Sequence, residues 1–264
     1  MTEKFPSSIR EINSLLEHEK QAIYKQLVPD WIYTAYDIHP DTLTKQGKTL
    51  VKFRCPNGSR AVEIFAKRDI QDSDPVLYLN MADTFNNQLL VLLVVVNDLD
   101  SARFDTDVDE HGNRTQFGTN GRNLVAEELA MKAGLAPGQI RKGLRSFSQS
   151  VPIFESFVSK MGHDLFLIEP LAYHNAWIFE RYGVSYIRGY KEMCRIDQEF
   201  KPGGEIHAKL SNTQIFRHED SWKSVRGRSW AIHDGILGHP FTGFQMYKRL
   251  GVHAGVCSYS DAMW

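Results

Sequence analysis

Three cysteines in 264 residues, Cys55, Cys194 and Cys257, are too few and too scattered for a disulfide framework or a CxxC metal knuckle. Their scarcity points to a reducing compartment. No apolar run is long enough to span a bilayer: the longest, LLVLLVVV at Leu89–Val96, is about half of what a membrane span needs. The N-terminus MTEKFPSSIREINSLLEHEK lacks the apolar core of a signal peptide, so a cytoplasmic protein without membrane contact is expected. Neither sign of charge is in excess. With 31 Lys and Arg against 32 Asp and Glu, the net charge of −1 removes any general electrostatic argument for nucleic acid or anionic membrane as partner. Internal repeats and low-complexity tracts are also missing. What is present, 42% apolar and 24% charged residues, suits a globular chain able to bury a substantial core. A small molecule is the expected partner, and a homo-oligomer is left open.

Along the chain, Ile9, Ile12, Leu15, Leu16 and Ile23 recur near helical spacing and predict a helix over about Ser8–Leu27, ended by Pro29. The segments WIYTAYDI, TLVKFRC, RAVEIFAKRD and PVLYLNMAD are short, β-branched or aromatic, and separated by Pro, Gly, Asn and Asp; they read as strands, with a hairpin signal at Asn57-Gly58. Leu89–Val96 has no period of two and reads as a central strand covered on both faces. SARFDTDVDEHGNRT alternates and reads as a further strand. Helices follow at NLVAEELAMKAGL and after Pro137, the latter interrupted near Pro152. Next come a strand DLFLIEPL, a helix around Asn175–Arg181, a strand VSYIRGY and a helix over Lys191–Phe200. The last sixty residues show no sustained period and are rich in His, Trp, Gly and Arg. The expected architecture is α+β, a largely antiparallel central sheet flanked by helices, with residues 1–190 as core domain and 191–264 as a loop-rich extension packing on it.

Four features can carry chemistry. Asp105, Asp107 and Asp109 alternate on one strand face, where they could hold a hard cation or form an ordinary wet face; an EF-hand is excluded, because Glu110 and Gln116 stand where Gly and Glu are required. In RTQFGTNGRN, the loop Gly118, Thr119, Asn120, Gly121 and Arg122 leads into a helix, a geometry that favours an anion but also marks common strand-to-helix turns. Glu169 ends a strand and His174 opens a helix beyond Pro170, so the two could form a proton-accepting pair; the alternative is a helix cap over core. In the C-terminal segment, Arg226 and Arg228 would share one side of an extended stretch and could anchor an acidic substrate beside Trp230. His233 and His239 there are candidate metal ligands, although no standard ligand spacing is present and the metal is not specified.

The order of elements, with the glycine loop opening a helix and FERYGV closing a later one, resembles the GNAT acyltransferase superfamily over roughly residues 75–190. In that superfamily a glycine loop after the fourth strand holds the pyrophosphate of an acyl-coenzyme A. The resemblance therefore assigns that role to Gly118–Arg122 and implies acyl-coenzyme A as donor. The family's general-acid tyrosine falls on Phe179 here, and Tyr182, three residues on, is the candidate in its place. The resulting expectation is a GNAT-like acyltransferase acting on a small acceptor. A metal-dependent enzyme using the C-terminal histidines, or a non-enzymatic small-molecule-binding protein, are the alternatives.

Overall fold

The apolar run Leu89–Val96 lies fourth in an open seven-stranded sheet in a computed structural model, which describes residues 4–264 apart from 117, 119, 145 and 146 and the side chains of 147 and 148. The chain begins with helices α1 (Ile9–Asn13), α2 (Glu17–Tyr24) and α3 (Asp30–Tyr36), then a small ribbon of β1 (Thr44–Lys45) and β2 (Lys48–Thr49). Strands β3 (Val51–Arg54), β4 (Ala61–Ala66), β5 (Leu77–Asp83) and β6 (Leu89–Val96) follow, then helices α4 (Leu124–Lys132) and α5 (Phe147–Lys160). The remainder is β7 (Leu165–Ile168), α6 (Tyr173–Arg181), β8 (Ser185–Arg188), α7 (Tyr190–Phe200), α8 (Val225–His233) and β9 (Gln245–Arg249). The sheet order is β3-β4-β5-β6-β7-β9-β8; pairs from β3 to β6 are antiparallel, and β6 and β7 are parallel. The fold is mixed α+β around a mostly antiparallel sheet. No helix among the described residues is long and apolar enough to cross a membrane.

Contacts divide the chain into two units, each assembled from three stretches. The first comprises Met1–Asp100, Gly143–Glu169 and Tyr247–Val252; the second, Ser101–Lys142, Pro170–Met246 and His253–Trp264.

In the first unit, β4 and β5 bury alternate side chains, Val62, Ile64, Leu77, Leu79 and Met81, the period of two that a strand imposes. The single N-terminal helix expected from periodicity is instead two. Ser8 Oγ accepts the Glu11 N–H at 3.2 Å, and the buried Asp83 carboxylate at the end of β5 accepts the N–H groups of Ile9 and Arg10, each at 2.8 Å. Ser14 closes α1, and the Glu19 carboxylate accepts the Leu16 N–H at 3.0 Å to open α2, so capping chemistry breaks the period. WIYTAYDI, expected as a strand, is helix α3: Pro29 starts it, Asp30 lies in its first turn, and Asp37 ends it in the left-handed conformation (φ 55°). Those end signals outweigh a β propensity whose whole range is about 1 kcal/mol.

β6 also departs from expectation. Leu89 and Val91 are buried, but Leu92 and Val94 are 36% and 37% exposed, so the strand is not covered on both faces. Its ladder with β7 has two pairs, Leu90 with Leu167 and Val91 with Ile168, and beyond them β6 runs on. Asn80 pairs with Leu93 and Met81 with Val91, leaving Leu92 as an extra residue in a bulge. The helix expected to start after Pro137 begins only at Phe147 and continues through Pro152.

In the second unit, α6, α7 and α8 close on a core of Tyr173, Trp177, Met193, Ile196, Phe200, Val225, Ile232 and Phe244. Met193, Ile196, Asp197 and Phe200 lie along one stripe of α7, the spacing of a single helix face. The alternating segment SARFDTDVDEHGNRT is not a strand; its one bridge joins Val108 and Arg114. Arg103 pairs with both Asp105 and Asp107, and Asp109 accepts the N–H groups of His111 and Asn113. Local side-chain bonds of this kind bend the chain away from a ladder. The C-terminal sixty residues, expected to be loop-rich, carry α8 and β9.

Candidate functional site

The glycine loop and the histidine-rich segment, far apart in sequence, meet in the second unit. Asn123 Oδ1 accepts the Ala126 N–H at 3.1 Å and starts α4, which sets Glu127 in the first turn with only 3% of its side chain exposed. Ser224 Oγ accepts the Gly227 N–H at 3.0 Å and starts α8, which carries Trp230 and His233 along to Asp234. Glu127 Oε1 lies 3.1 Å from His233 Nε2. Arg122 donates through Nε (2.9 Å) and Nη2 to Glu127 Oε2, and through Nη1 to Asp234 Oδ1 at 2.7 Å. Arg217 completes the group, with Nε 2.7 Å from Asp234 Oδ2 and Nη2 on the Asp234 carbonyl. Two guanidiniums thus balance two carboxylates, and His233, 17% exposed, sits at the margin.

An aromatic floor supports this network. Arg122 lies over Phe216, 5.1 Å from the ring centroid, Phe216 stacks on Trp230 at 5.4 Å, and Trp230 Nε1 donates to the Leu135 carbonyl at 2.9 Å. Burial works to raise the Glu127 carboxyl, but hydrogen bonds from His233 and Arg122 outweigh it and hold the group below its ordinary value. The imidazole is thereby paired with a carboxylate that stays ionised.

The other sequence-predicted residues are placed as follows. Gly118 adopts φ +84°, and a Cβ there would stand 2.8 Å from His233 Cε1. Glycine is required by both the conformation and the contact. Gly118→Ala is expected to cost about 1–3 kcal/mol, as for a non-glycine residue held in this region, and to shift the His233 imidazole resonances. Wild-type melting together with unmoved resonances would show that the loop does not bear on His233. Thr119 lies outside the described residues. Asn120 donates its N–H to the Thr115 carbonyl at 3.1 Å, and Gly121 is exposed at φ +124°.

His174 is buried at 3% exposure, and its Nδ1 lies 2.8 Å from Ser229 Oγ. Burial first, then the nearby His233, pulls its pKa down to about 3. Glu169, expected at the edge of burial, is exposed, because β7 ends at Ile168 and the chain turns outward at its last polar residue. The structure therefore pairs His174 with Ser229. Tyr182 caps the C-terminal end of α6, its N–H on the Phe179 carbonyl at 3.0 Å, and Phe179 packs against the core.

Arg226 and Arg228 lie on helix α8, not on an extended stretch, and two residues along a helix point to different sides. Arg226 Nη1 donates to the Gly134 carbonyl at 2.6 Å, while Arg228 is 1% exposed and bonded to Asp197. Trp230 is equally buried. His239 is exposed, with Nδ1 3.1 Å from the Pro240 carbonyl oxygen and Nε2 3.9 Å from Glu192. Among the described residues, no three His, Cys, Asp or Glu side chains converge as a metal ion requires. A hollow of about 400 Å³ is lined by Met131, Asn212, Gln214 and Asp220 among others, and by His218 of the C-terminal histidines.

Sequence reasoning passed over Arg217 and Ser229, read Glu127 only as a first-turn acid of its helix, and took Asp234 only as a neighbour of His233 in a candidate metal group. A signal existed for Glu127: it lies between Ala126 and Ala130 on the buried side of α4, so its carboxylate needed a partner. Comparison of the chain with protein-family models, curated proteins and solved structures finds no match.

Proposed function

We propose that the protein is an acyltransferase of GNAT-like type, taking its acyl group from an acyl-coenzyme A and passing it to a small acceptor. The observation that carries this reading is the glycine loop that opens α4: Gly118 (φ +84°) and Gly121 (φ +124°) lead to Asn123, whose side chain caps the helix. A loop of this form turns backbone N–H groups toward an anion such as the pyrophosphate of coenzyme A. The element order supports the same reading: antiparallel β3 to β6, a glycine loop opening α4, then β7, α6 ending in FERYGV, and β8.

The resemblance gives the pyrophosphate to Gly118–Arg122. Arg122 is already engaged by Glu127 and Asp234, so anion binding at this loop rests on the backbone amides that open α4. Calorimetric titration with coenzyme A and acetyl-coenzyme A is expected to give saturable heat. Gly121→Val, strained at φ +124°, should reduce binding more than Arg122→Ala. Hydrogen exchange in residues 120–125 should slow when the ligand is added. No heat and no added protection at millimolar ligand would remove the proposal.

A further inference from the structure

Helix α4 of the second unit carries its large apolar side chains on the outside. Leu124, Val125 and Leu129 are 51%, 67% and 53% exposed, whereas the buried side is built from Ala126, Glu127 and Ala130. A helix that served only to cover its own core would have the reverse arrangement, with the large apolar residues inward. Ala130 packs with Leu135 and Trp230, and the outer three take no part in that cluster. At about 3.6 residues per turn, Leu124, Val125, Glu128, Leu129 and Lys132 share one face. At the flank of this face the 400 Å³ hollow opens, with Met131 of the helix and Ile215, 48% exposed, among its walls. Projecting apolar side chains and an apolar-walled recess thus lie side by side, more than scattered exposed residues amount to.

The charges on the face decide what can cover it. Glu128 and Lys132, one turn apart, pair with each other in water, where such a pair adds little to the helix itself. A polyanion or an anionic membrane would meet Glu128. A partner surface of either single sign would satisfy one charge and be opposed by the other. A second copy of the same face satisfies both. A two-fold axis crossing α4 near residue 130 sets two copies of the helix antiparallel, so that Glu128 of each lies beside Lys132 of the other, the self-complementarity that an isologous contact demands.

We propose that the outer face of α4 is the contact of a two-fold homodimer, in which Leu124, Val125 and Leu129 of each copy pack against the helix and recess of the other and the Glu128 and Lys132 pairs exchange partners across the axis. The proposal does not depend on the acyltransferase reading. A helix of nine residues with one flanking hollow is smaller than a standard interface of roughly 800 Å² per partner, so the dimer is a weak one. Sedimentation of the full-length protein is expected to show a mass rising from one chain toward two, and no further, between about 1 µM and about 500 µM, the range in which a contact below standard size associates. Leu129→Glu, on an exposed position, should keep the wild-type melting temperature and weaken association about tenfold or more. Glu128→Lys and Lys132→Glu, each alone, set like charges across the axis and should weaken it by a similar factor, about tenfold. An equimolar mixture of those two variants restores opposite charges at both contacts and should recover the dimer. Each chain in the mixture still has like charges along its own helix, so a merely structural ion pair would not be rescued by mixing. A protein that stays monomeric over the whole range, association unchanged in Leu129→Glu, growth beyond two chains, or a mixture that stays monomeric overturns the proposal.

Discussion

Asp197→Ala is expected to destabilise the protein by about 3–5 kcal/mol, the cost of leaving one member of a buried ion pair alone. Its partner Arg228 is 1% exposed, with Nη1 2.7 Å from Asp197 Oδ1 and Nε 2.7 Å from the Trp222 carbonyl. The guanidinium is packed 3.6 Å from the Tyr259 ring centroid and 5.2 Å from that of Phe200. Water cannot reach it, so without Asp197 the charge has no counterion. The reverse change should be milder. Lys201 Nζ lies 2.8 Å from Asp197 Oδ2 and is 44% exposed, so in Arg228→Met the carboxylate keeps a cation while the methionine fills much of the space. Urea unfolding of both variants checks the asymmetry; an Asp197→Ala variant within about 1 kcal/mol of wild type, an ordinary surface-type effect, would refute it.

Acidification should remove stability through His174. Its ordinary value of 6.5 falls to about 3 in the folded protein, so between those values the unfolded chain binds a proton that the native state refuses. The contribution is fully present above about pH 6.5 and is lost as pH falls toward about 3, at about 1.4 kcal/mol per unit where only the unfolded chain is protonated. Carboxylates titrate in the same range, so the comparison is with His174→Gln. The stability gap between wild type and variant should narrow from pH 7 to pH 4.5. A constant gap would show that the imidazole is not held neutral. The same burial bears on chemistry: a ring that takes no proton near neutrality is a poor general base, whereas His233, 17% exposed, lies beside the Glu127 carboxylate.

Of the candidate site, the sequence located the glycine loop, His174, Trp230 and His233 but not the bonds between them. Arg122 meets Asp234 across 112 residues, His233 meets Glu127 across 106, and His174 meets Ser229 across 55. Residue spacing describes what neighbours do along one element; it contains no information on which distant carboxylate will neutralise a given arginine. For the same reason Arg226 and Arg228 were legible as cations but not as groups committed to the protein's own carbonyl and carboxylate.

The strands β3, β4 and β5, the central place of Leu89–Val96, and helices α6 and α7 follow from the sequence alone, because apolar periods of two and 3.6 are imposed by backbone geometry and survive whatever packs against them. Tertiary structure decided the rest. The start of α1 depends on a carboxylate from β5, and the extent of the β6 ladder on that side depends on where β7 stops. β9 forms in a stretch that shows no sustained period of its own. A propensity spread of about 1 kcal/mol is smaller than the burial and hydrogen bonding that a distant segment supplies, so wherever the two disagree the distant segment prevails.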